Sequence, residues 1–78
     1  MTLSDFELLV TQARLAADAK AIAVGHRAAA ASDIASSIRG SLSQAGWLPG
    51  DLDAVPLNQF ANGGIDLRQL WEVLESRR

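Results

Sequence analysis

Seventy-eight residues suffice for one domain and leave no room for a second core. There is no cysteine, which excludes disulfides and any cysteine-ligated zinc or iron–sulfur site. The formal charge of −2 supplies no general attraction to phosphate backbones or anionic lipid.

The 49% apolar content argues against disorder, but fourteen alanines inflate it, against two phenylalanines, two tryptophans and no tyrosine. The core must therefore draw on Phe6, Trp47, Phe60, Trp71 and the leucines and isoleucines. A domain of this size is marginal alone, and oligomerisation is the common remedy where disulfides are absent. Residues 1–5 lack a basic segment followed by an apolar run, and no unbroken apolar run exceeds four residues, as at 28–31. A membrane span needs about 20. These features predict a soluble, cytoplasmic protein without a secretory signal or a membrane anchor.

The first element is a helical stretch from 4 to 45, free of proline and dense in alanine. Ser4 and Glu7 have the spacing of a reciprocal capping box, flanked by Leu3 and Leu8 as an apolar staple. Asp5 and Glu7 add negative charge at the positive end of the helix dipole. At the far end Gly46 suits the left-handed position past a helix, with Trp47 placed to fold back on Leu42 and Pro49 blocking continuation.

Between these ends Val10, Ala17, Val24, Ala31, Ile38 and Ala45 recur every seven residues, a coiled-coil-like phase that survives Gly25. A loop has no reason to preserve register, and none of Ser, Thr, Asp or Asn stands between Gly25 and Ser32 to start a second helix. Against these signals, Lys20, His26 and Arg27 suit the negative end of a helix finishing at Val24. The balance favours one continuous, kinked helix, with a break at Gly25 as the alternative. Unbroken, it would be ~60 Å long, more than the remaining residues can cover. Its apolar stripe would then meet a second copy or another protein.

Residues 47–64 read as a turn-rich linker: turn chemistry at Leu48-Pro49-Gly50-Asp51, a short helical turn over 51–55 capped by Asp51, and another over 56–61 begun by Pro56. Asn62-Gly63-Gly64 ends that turn. A final helix over 66–77 starts with Asp66 and Gln69 as a capping box and Ile65 with Leu70 as staple. Its apolar stripe is Leu67, Leu70, Trp71 and Leu74, with Arg77 and Arg78 at the negative end. The fold class is all-α, a helical bundle completed by oligomerisation.

No chemistry-bearing constellation emerges. His26 is the sole histidine and lacks the context of a nucleophile on a sharp turn. Asp51 and Asp53 resemble the opening of a calcium loop, but Val55, Pro56 and Leu57 occupy later ligand and glycine positions. Gly63-Gly64 before a helix suggests a phosphate cradle, yet Asp66 already places negative charge there. No cofactor, metal or catalytic residue is expected.

The small side chains at Ala13, Ala17, Ala21, Ala28, Ala31 and Ala35 allow close approach of another helix. A second apolar line, Leu8, Leu15, Ala19 and Ile22, runs along another side of the first half, and a helix apolar on two sides is sandwiched between two neighbours. The candidate protein-binding residues are Leu8, Val10, Leu15, Ala17, Ile22, Val24, Ala31 and Ile38. The function expected is that of a non-enzymatic, self-associating interaction protein, a homodimer that acts as a small regulator, inhibitor or assembly factor on another protein. The alternative is a dimeric DNA-binding regulator using its carboxy-terminal helices. Charge disfavours nucleic acid, because Arg14, Arg27, Arg39 and Arg68 are scattered among Asp18, Asp33 and Glu72.

Overall fold

The computed structural model describes residues 1–77. The described residues form five helices and no strand: α1 (Leu3–Ala23), α2 (Ala31–Gln44), α3 (Pro49–Asp53), α4 (Leu57–Ala61) and α5 (Leu67–Glu75). The expected all-α class is observed, but the continuous helix over 4–45 is not. It is broken at Gly25, whose φ of +93° lies where L side chains are rarely found.

The break is a hydrogen-bonded stop. The Gly25 N–H donates to the Ile22 carbonyl at 3.0 Å and the His26 N–H to the Ala21 carbonyl at 2.9 Å, the paired bonds of a Schellman motif. The seven-residue phase that favoured continuity ends in space where it crosses this turn. Val24 is 73% exposed and Ala31 only half-buried, while Val10, Ala17 and Ile38 lie in the core. Folding back wins because two short helices shield each other, whereas an extended rod leaves its stripe in water.

α2 starts without a side-chain cap, and the turn before it is tied to another helix. Its N-cap is Ala30, which offers no side-chain acceptor. Asp18, on α1, accepts instead from the Ala29 N–H at 2.9 Å. A second bond joins the hairpin midway: the Ser37 hydroxyl donates to the Ala13 carbonyl at 2.8 Å. Ala13, Ala17, Ala21 and Ala35 are buried, so much of the small-residue stripe serves helix packing within this chain.

The N-terminal cap also differs from expectation. Thr2, not Ser4, is the cap: its hydroxyl accepts from the Asp5 N–H at 3.1 Å, and the Asp5 carboxylate accepts from the Thr2 N–H at 3.0 Å. The same reciprocal grammar is available two residues earlier, and each residue added to a helix brings a further backbone bond. The Thr2 N–H holds the Asp5 carboxyl below the usual aspartate range. Leu8, expected to staple this end, is exposed.

The remaining punctuation follows the sequence more closely. Past α2, the Gly46 N–H donates to Ser43 and the Trp47 N–H to Leu42, each at 3.1 Å, and the half-buried Trp47 packs on the core. Pro49 opens α3 with Leu48 as cap, so the turn expected over 51–55 begins earlier; Pro56 caps α4. Asp66 and Gln69 form the expected capping box of α5. Arg77 lies just past that helix, its N–H donating to the Leu74 carbonyl, and Arg78 lies outside the described residues.

One core unites the elements. α1 packs chiefly on α2, α2 on α4, and α5 closes against α1 and α4. Phe6, Ile38, Leu42, Leu52, Leu70 and Leu74 are the large side chains withdrawn from solvent. The Phe6 and Trp71 rings meet at 5.2 Å between centroids, tilted by 36°. The Cα radius of gyration is 12.1 Å, so α3 to α5 suffice to close the hairpin's inner face.

Candidate functional site: the outer face of α1

α1 has apolar residues on two opposite sides and is nearly without net amphipathicity. Phe6, Val10, Ala13, Ala17 and Ala21 face α2 and α5. At 100° per residue, Leu8, Leu15 and Ile22 fall on a line about 180° away. They are 59%, 64% and 60% exposed. Ser4, Thr11, Gln12 and Ala19 share this side, exposed and uncharged, and Asp18 borders it between Leu15 and Ile22.

The charged residues of α1 lie at the flanks of this face, and its middle pair is engaged elsewhere. Arg14 places its guanidinium over the Phe60 ring, 5.8 Å from the centroid, and Asp18 serves the turn before α2. The outer face runs along a 21-residue helix, ~31 Å long at 1.5 Å per residue, with Asp18 as a charge at its border. A single exposed leucine is ordinary, whereas here three large aliphatic side chains are aligned on one face.

The structure divides the eight candidate binding residues. Leu8, Leu15, Ile22 and Val24 are on the surface, the first three on one line and Val24 at the turn. Val10, Ala17 and Ile38 are core residues and offer nothing to a partner, while Ala31 is half-buried at the first turn of α2. Sequence spacing treated the two lines alike because both are apolar at helical period. Only the positions of α2 and α5 decide which one is covered.

Clefts adjoin other parts of the surface, and two of them flank the ends of α1. The larger, about 710 Å³, opens between the end of α1 and the start of α2; half of its lining is alanine, with Lys20, His26 and Asp33 among the rest. A shallower one of about 420 Å³ runs past Met1, Trp47 and the exposed Leu48 at another end of the molecule. The sequence reading passed over Leu48 because it sits in turn chemistry, without a period to mark it. Among the described residues no polar or charged residue is buried, and no cluster of three or more His, Asp or Glu is placed to hold a metal ion. No helix among them is long and apolar enough to cross a membrane.

Of the arginines a nucleic-acid surface would need, Arg39 is paired with Asp53 at 2.7 Å and reaches the Pro49 carbonyl, and Arg14 lies on Phe60. Compared with known proteins, the chain matches no protein-family model, and no curated protein or solved structure resembles it significantly.

Proposed function

We propose that this chain is a non-enzymatic protein–protein interaction module that self-associates through the outer face of α1 and acts as a small regulator, inhibitor or assembly factor on another protein. The observation that carries this reading is the line of Leu8, Leu15 and Ile22 left in water on the side of α1 away from the core. Full burial of a leucine or isoleucine is worth about 1.5–3 kcal/mol, so covering the exposed part of three such side chains on each of two copies contributes roughly 5–10 kcal/mol. Association costs about 4 kcal/mol or more in lost translational and rotational freedom. The difference, at most about 6 kcal/mol, favours a reversible dimer forming at high micromolar to millimolar concentration over an obligate one.

Light scattering coupled to chromatography, over a concentration series of the pure chain, tests this directly. The expected outcome is a mass that rises towards two chains, and a Leu15→Lys variant that stays at one chain and melts in dilute solution at the wild-type temperature. A wild-type chain that remains a single copy at millimolar concentration would end the proposal.

A further inference from the structure

The outer face of α1 has a symmetry of its own. Leu8, Leu15 and Ile22 are spaced by seven, so their numbers pair about residue 15: Leu8 with Ile22, and Leu15 with itself. Two helices laid antiparallel on a two-fold axis bring those pairs opposite one another, the isologous arrangement in which one patch serves both copies. Parallel pairing also matches the side chains, each with its own counterpart, so apolar spacing alone does not choose.

Charge chooses. The first turns of α1 carry Asp5 and Glu7; the amino group of Met1 adjoins them, with Asp51 and Arg77 across a shallow cleft, and this end stays net acidic when all are counted. Lys20 and Arg27 are exposed at the opposite end, where Asp33 shares a cleft with Lys20, so that end stays net basic. Arg14 and Asp18, between them, are held on Phe60 and on the Ala29 N–H. An antiparallel pair sets each acidic end beside the other copy's basic end, with the two helix dipoles opposed; a parallel pair sets like charges and like dipole ends together.

We infer, resting on the self-association proposed above, that the partner of this face is a second copy of the chain, docked antiparallel about a two-fold axis through Leu15. Leu8 of one copy then meets Ile22 of the other, and the turn at 24–27 lies beside the other copy's first residues.

The absence of cysteine makes this testable with single thiols in the full chain. Leu8→Cys, Leu15→Cys and Ile22→Cys all fall on exposed positions, so the fold tolerates them, as circular dichroism would verify. On mild oxidation, Leu15→Cys alone should give covalent dimers. Leu8→Cys and Ile22→Cys should each stay largely uncrosslinked alone and form the mixed dimer when combined. Self-crosslinking of Leu8→Cys as efficient as that of Leu15→Cys would overturn the antiparallel order. If the wild type is a dimer by mass and Leu15→Cys does not crosslink, the axis through Leu15 is wrong while self-association stands. If the wild type is a single chain throughout, both fall. Salt provides a second readout that needs no substitution. Between about 0.02 and 0.2 M salt, where the Debye length shortens from roughly 20 to 7 Å, complementary ends predict a weaker dimer. A dimer that tightens over that range would point to parallel pairing and overturn the inference.

Discussion

The break at Gly25 yields the sharpest prediction, because the two enantiomers of alanine at that position should move stability in opposite directions. Gly25 has a φ of +93°, and a Cβ built there meets no heavy atom within 4 Å. The effect of adding a methyl group is therefore confined to the backbone. L-Alanine must adopt a left-handed conformation, which costs about 1–2 kcal/mol, offset by about 0.4–1 kcal/mol from a less flexible unfolded chain. The net is a loss of roughly 1 kcal/mol. D-Alanine favours positive φ, so it keeps the unfolded-state gain without the strain and should stabilise by about 0.4–1 kcal/mol. For a domain of this size 1 kcal/mol moves the melting temperature by about 4–8 °C, which a far-ultraviolet circular dichroism melt of the synthetic chains resolves at matched concentration. In a continuous helix the order reverses, since L-alanine would gain about 1 kcal/mol over glycine. An L-alanine variant more stable than the D-alanine one would refute the hairpin. Proline is a poorer probe: it cannot reach this φ and it deletes the N–H given to Ile22, so it is destabilising under either architecture.

Other outcomes follow from the core, the turn and the cap. Leu70 is fully buried, so Leu70→Ala should cost about 2–5 kcal/mol in denaturant unfolding, while Leu15→Ala on the outer face should stay within about 0.5 kcal/mol in dilute solution. Asp18→Ala removes the acceptor of the Ala29 N–H; by analogy with helix caps the loss should be about 1 kcal/mol, with faster amide exchange at Ala29. Unchanged protection there would show that Asp18 does not hold the turn before α2. The Asp5 carboxyl titrates below its unfolded value, so its contribution is present above the ordinary aspartate range and is lost as pH falls through the lowered value. Asp5→Asn should flatten that acid limb, and a limb identical to wild type would show that Asp5 does not contribute to it.

The outer face of α1 was half legible before the fold was known. The Leu8, Leu15 and Ile22 line could be read from spacing, and so could the conclusion that a helix apolar on two sides has two neighbours. Which side meets which neighbour was not readable, and Val10, Ala17 and Ile38 were therefore grouped with residues that end on the surface. Hydrophobicity has no direction along the chain: a leucine in sequence states how much area it can bury, not what arrives to bury it.

The sequence by itself determined what depends on a few neighbouring residues. The helical class, the stop from Gly46 to Pro49, the capping box of Asp66 and Gln69, and the apolar stripe of α5 all belong here, because caps and turns are satisfied within three or four positions. Tertiary structure alone decided what depends on residues far apart. The chain turns back at Gly25 although the apolar phase continues, and α2 starts under an aspartate from α1, eleven residues before the amide it receives. Local signals set what each segment is able to form, and the burial of one helix against another selects among those forms, because the area shielded by folding back outweighs the continuity of a single rod.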